Sequence, residues 1–128
     1  MNILQLTNKL PYPPKDGGAI ATLNLSLSLA EQGNKVSMLA INTSKHFFDP
    51  NSIPESITEK IHISTVFSDT KINVFKALKN LFFSGLPYNA VRFVSKEYAE
   101  KLAKILKSND FDIVQVEGLY MMLYLPVI

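Results

Sequence analysis

A chain of 128 residues, 47% of them apolar, can bury the core of one domain and is too apolar to stay disordered. Its net charge of +2, with lysines spread along the chain, gives no electrostatic case for nucleic acid as a partner. The absence of cysteine excludes disulfides, thiolate catalysis and thiolate metal sites, and no apolar run reaches the ~20 residues of a membrane span.

Residues 2–7 are a short apolar run bounded by a turn-rich loop, the pattern of a buried first strand. The loop Asn8-Lys9-Leu10-Pro11-Tyr12-Pro13-Pro14-Lys15-Asp16 is stiffened by proline and leads into Gly17-Gly18. A helix is predicted from 19 to 32, with Ile20, Leu23, Leu27 and Ala30 at helical spacing and Gly33-Asn34 as its stop. Leu23, Leu25, Leu27 and Leu29 also alternate like a strand; the length and the Gly-Gly start decide for helix. An apolar surface over most of its circumference predicts contact on two sides.

Residues 35–41 form the second predicted strand. An irregular stretch over 42–60 comes next, with one helical turn expected at Pro54-Glu55-Ser56-Ile57. Residues 61–67 are the third strand. A basic amphipathic helix is predicted over 71–83, with Phe75, Leu78 and Phe82 on one face and Lys71, Lys76 and Lys79 toward another. It suits either packing on the domain or peripheral contact with an anionic membrane. A longer helix is expected from 89 or 95 to 107, with Val94, Tyr98, Leu102, Ile105 and Leu106 as its stripe. Glu97 with Lys101 and Glu100 with Lys104 would pair along it. Residues 112–118 are the fourth strand, with another helix starting after it.

Apolar strands alternating with helices predict an α/β, Rossmann-like parallel sheet with helices on both faces and strand order 3-2-1-4. Ligands of such sheets lie beyond the carboxyl ends of the strands where the order reverses, which sets Gly17-Gly18 beside the end of strand 4. The chain stops on the apolar Leu125-Pro126-Val127-Ile128, so it reads as one domain, 1–128, cut after strand 4 from a longer protein. Exposed apolar surface there predicts self-association, through residues 119–128.

Two glycines opening a helix can bring backbone amides to an anion, or can simply make a tight strand-to-helix turn. They belong neither to a dinucleotide fingerprint nor to a P-loop, because the further glycines, the acidic residue ending strand 2 and the Lys-Ser/Thr pair are all missing. Glu117 can orient a hydroxyl or cap the helix after it. Asp110-Phe111-Asp112 resembles a metal motif, but it precedes a strand and reads as turn residues. His46 and His62 have no partner at ligand spacing.

The run from Leu4 to Gly18, with the helix after it and Phe111-Asp112-Ile113-Val114-Gln115-Val116-Glu117 at strand 4, resembles the N-terminal domain of family 4 glycosyltransferases, retaining enzymes of the GT-B architecture. The resemblance implies transfer of a sugar from a nucleotide-sugar donor to a sugar or lipid-linked hydroxyl acceptor, without metal or other cofactor, at a cleft between two domains. It implies a cytoplasmic enzyme of polysaccharide or glycolipid synthesis, at the inner face of the membrane where the acceptor is a lipid. Gly17 and Gly18 would meet the donor diphosphate, Glu117 would stand where many members carry histidine, and Asn8, Lys15 and Asp16 are loop candidates. Tyr88, Asn89 and Arg92 are acceptor-side candidates, equally readable as the shoulder of a helix start. The family's second domain is missing, so the fragment alone is expected to be inactive. A nucleotide-sugar epimerase or other Rossmann enzyme, and a non-catalytic nucleotide- or partner-binding module, stay open beside this reading.

Overall fold

The computed structural model describes residues 1–70, 75 and 87–128. The helix expected over 71–83 lies outside the described residues apart from position 75, as do the side chains of Tyr88 and Asn89. The chain forms a four-stranded parallel sheet of order β3-β2-β1-β4, as right-handed crossovers require. Its strands are β1 (Asn2–Thr7), β2 (Lys35–Thr43), β3 (Ile61–Ser68) and β4 (Ile113–Glu117). Helix α1 (Gly17–Glu31) joins β1 to β2, and the single turn α2 (Glu55–Thr58) precedes β3. Helices α3 (Tyr88–Val91) and α4 (Lys96–Ser108) precede β4, and a 3-10 segment (Leu119–Val127) comes after it. The arrangement is α/β and Rossmann-like.

Strand alternation divides the core between two faces. Leu4, Leu6, Leu39 and Ile41 point to the face covered by Tyr98 and Leu102 of α4 and by Met121 and Tyr124 of the 3-10 segment. Val36, Met38, Ala40 and Ile61 point to the other face, where Leu23 of α1 packs. Gln5 shares this second face and meets Ser26 of α1. Two tyrosines lock the first face with their polar ends. Tyr98 donates to the Leu39 carbonyl at 2.7 Å, while Tyr124 accepts from the Ser95 amide at 2.8 Å and donates to the Phe93 carbonyl at 2.6 Å. Burial pushes both phenols above the ordinary range, because the charged form would lose its water.

Several boundaries differ from expectation for local reasons. β2 runs on through Asn42 and Thr43 because these side chains pair with the loop after them. Asn42 holds both the amide and the carbonyl of Phe48, and Thr43 accepts from the His46 amide. Of the two starts expected for the long helix, 89 or 95, the structure takes the second, with Ser95 as the N-cap of α4 and its hydroxyl accepting from the Tyr98 amide. Val94 is left exposed outside α4.

The expected ion pairs of α4 are replaced. Ser95 donates to Glu97 at 2.7 Å, Lys101 reaches the Thr65 carbonyl at 3.4 Å, and Lys96 meets Glu100 at 3.5 Å. The regular helix expected after β4 is a 3-10 segment, with the helix-breaking Pro126 inside it. Among the described residues helix α1 is covered on one side only, and its Ile20 is 46% exposed. It ends in a Schellman turn, with Gly33 at φ 85° donating to the Ala30 carbonyl and Asn34 donating to that of Leu29. Among the described residues no helix is long and apolar enough to cross a membrane.

Candidate functional site

The order reversal lies between β1 and β4, whose strands pair Gln5 with Gln115 and Thr7 with Glu117. Just beyond their carboxyl ends is an open hollow of about 330 Å³, lined by Thr7, Asn8, Lys9, Pro11, Gly18, Ala19, Thr22, Glu117 and Gly118. Three predicted residues, Asn8, Gly18 and Glu117, therefore meet in one place. The first turn of α1 forms one wall and the end of β4 another.

The glycines do not have the conformation that a turn demanding glycine would give them. Positive φ occurs at Gly33 and Gly118, and at neither Gly17 nor Gly18. An added Cβ at Gly17 would meet nothing within 4 Å, and at Gly18 its nearest contact would be Asp16 Oδ1 at 3.4 Å. Local backbone geometry therefore does not require glycine here; what two absent side chains provide is open access to the start of α1.

Asp16 is the N-cap of α1, its Oδ1 accepting from the Ala19 amide at 3.0 Å. Lys9 Nζ sits 2.6 Å from each Asp16 oxygen. The Lys9 ammonium, and after it the Ala19 amide, hold the Asp16 carboxyl below its ordinary value. The helix start thus already carries one anion of the chain's own, and Lys9 bridges it to the hollow. Lys15 and Asp16 face a second, smaller hollow of about 80 Å³ on the β2 side, with Lys9, Tyr12 and the His46-Phe47-Phe48 run. Gly17 lines neither hollow.

Glu117 does not cap the 3-10 segment. Gly118 holds the N-cap position, without a side-chain cap bond, and the Glu117 carboxylate accepts from the Gln115 amide instead. Gly118 has φ 95°, and a Cβ there would lie 3.1 Å from Asn8 Nδ2. Its glycine identity is what lets Asn8 pack over the strand end. Thr7, 2% exposed, has a buried hydroxyl with no hydrogen-bond partner among the described residues, on this wall of the hollow. Such a group is costly unless something meets it, which makes it the most informative polar atom of the site.

Arg92 lines neither hollow. Its Nε is buried without a partner among the described residues, and its guanidinium lies 5.8 Å from the Phe93 ring centroid. Phe93 in turn stacks on Tyr120 at 4.9 Å. Asp110 and Asp112 stand at the opposite, amino end of the sheet, where the Asp112 carboxylate accepts from the Asn2 amide and the Asp110 carbonyl from the Asn2 side chain. They are turn and strand-start residues. Among the described residues no cluster of three His, Asp or Glu side chains is placed to hold a metal.

Sequence reasoning missed Thr7 and Thr22, and it missed the glutamines that interrupt β1 and β4. Their signal was present: a polar residue in mid-strand, twice, at positions that become neighbours. No family model matches the chain, and no curated protein matches it in sequence.

Proposed function

We propose that this chain is the acceptor-side half of a GT-B glycosyltransferase, which moves a sugar from a nucleotide-sugar to a hydroxyl acceptor with retention at the anomeric carbon. The observation that carries the reading is one hollow at the strand-order reversal holding the glycine start of α1, the buried unpaired hydroxyl of Thr7 and the Glu117 carboxylate. Its walls differ in character. Gly18 and Lys9 line the wall at the start of α1, where a diphosphate would share Lys9 and the positive end of the helix dipole with the Asp16 carboxylate. Glu117, as a carboxylate, accepts from and orients an attacking hydroxyl. The resemblance of the opening run to family 4 enzymes supplies the direction of transfer and the nucleotide-sugar.

In the complete enzyme a second domain closes the cleft and holds the nucleotide, and the half present here works without a metal. The acceptor is a sugar or lipid-linked sugar, and the work is cytoplasmic. Alone, the chain binds a diphosphate weakly and turns nothing over.

The test is amide NMR of the labelled chain titrated with inorganic pyrophosphate and with a panel of nucleoside diphosphate sugars. Shifts should concentrate at Thr7, Gly17, Gly18, Ala19 and Thr22 and spare Asn2 and Asp112 at the other pole. No shift at millimolar ligand, or shifts centred on Asn2 and Asp112, would overturn the reading.

A further inference from the structure

Behind Glu117 runs a line of side chains that the hollow itself does not account for. Ser26 Oγ on α1 lies 2.5 Å from Gln5 Oε1, and Gln5 Nε2 lies 3.1 Å from Gln115 Oε1. Gln115 Nε2 meets Glu117 Oε1. Gln5 and Ser26 are both 0% exposed, so the line crosses the sheet's α1 face from the middle of the helix to the rim of the hollow.

We propose that Ser26, Gln5 and Gln115 are positioning residues for Glu117, forming one hydrogen-bond chain whose direction the Glu117 carboxylate dictates. An ionised carboxylate can only accept, so Gln115 must turn its NH2 toward it and its carbonyl toward Gln5. Gln5 must then give its NH2 to Gln115 and its carbonyl to Ser26, and the serine hydroxyl donates. The alternative acceptor of that hydroxyl is the Thr22 carbonyl at 2.7 Å, so Ser26 is where the chain can switch. One carboxylate oxygen is thereby tied back, which fixes the orientation in which the other meets a ligand. The charge on Glu117 is also felt at α1, the helix whose first turn forms the opposite wall. The functional meaning of this chain rests on the reading of Glu117 as the acceptor-side group, but its existence does not.

Among the described residues, the lining of the hollow holds one charged side chain besides Glu117. Lys9, from the loop after β1, lines the same hollow and is paired with Asp16; α1 contributes Ala19 and Thr22, and β1 contributes Thr7, none of which titrates. Acid titration of the labelled chain, read at the side-chain NH2 signals of Gln5 and Gln115, isolates the effect. Both signals should move with one shared midpoint in the wild type. The movement should persist in Asp16→Asn and vanish in Glu117→Gln, where the neutral amide no longer sets the direction. Ser26→Ala should alter the Gln5 signal while the Gln115 signal still moves with pH. A Gln5 signal that stays still in the wild type, or that titrates unchanged in Glu117→Gln, would overturn the proposal. Pyrophosphate binding at Gly17 and Gly18 is read at other atoms, so either idea can fail while the other stands.

Discussion

Gly18 and Gly118 line the same hollow for opposite physical reasons, and substitution separates them. At Gly118 the backbone is left-handed and a Cβ would press on Asn8 at 3.1–3.2 Å. Gly118→Ala should cost roughly 1–3 kcal/mol from the backbone conformation alone, since φ 95° with ψ 137° is a combination that side chains strongly disfavour, with Asn8 displaced in addition. Chemical denaturation checks the first effect, and the Asn8 side-chain NMR signal checks the second. At Gly18 the backbone is ordinary and the nearest contact of a new methyl is 3.4 Å, so Gly18→Ala should be neutral or stabilising by up to about 1 kcal/mol, as the unfolded chain loses freedom. The same methyl would face the hollow and weaken pyrophosphate binding. A gain in stability with a loss in binding would mark Gly18 as held for access and not for folding; loss of both would return it to a turn residue.

Helix α1 begins on a compromise between its own cap and an incoming ligand. Asp16 gives the helix its N-cap and, through Lys9, removes the nearest cation from free use. The sign of its pH dependence is set by a carboxyl depressed in the folded state. Its contribution is fully present above the unfolded value near 3.8 and is lost as pH falls through the lower folded value. Asp16→Ala should therefore melt earlier than wild type at neutral pH, with the difference closing in acid. Asp16→Asn keeps a good cap and loses only the charge, so it should fall between the two. Thermal melts across pH 2–7 measure this order. The asparagine variant should also bind pyrophosphate more tightly than wild type, because Lys9 is released and no carboxylate competes for the helix start; weaker binding would mean that the Lys9–Asp16 pair is needed to shape the loop.

At the scale of the whole molecule, the sheet order and the two covered faces were legible because apolar runs alternate with helical periods, and handedness leaves few topologies. The site was legible only in outline. Gly18 and Glu117 could be brought together from strand order, but the Ser26–Gln5–Gln115 line depends on register and on which strand face meets α1, which composition does not reveal. The segment after β4 departs from expectation for a related reason, since its apolar residues suit any helix. Only its 3-10 geometry, at three residues per turn, sorts them into stripes. Met121 and Tyr124 are buried, while Leu119, 82% exposed, Met122, Leu125 and Ile128 form an outer row at intervals of three. This row adjoins β4, an edge strand with no neighbouring strand on its far side among the described residues. Four large apolar side chains in line beside an unpaired edge favour association with any similar surface, and at high concentration the commonest such surface is a second copy. Sedimentation velocity should show a weight-average mass rising above 14.3 kDa as concentration increases. Leu119→Lys with Leu125→Lys should hold the chain at the monomer mass without lowering its melting temperature, because neither side chain belongs to the buried core. A wild type that stays monomeric throughout the concentration range would show that the stripe is tolerated in water as it stands.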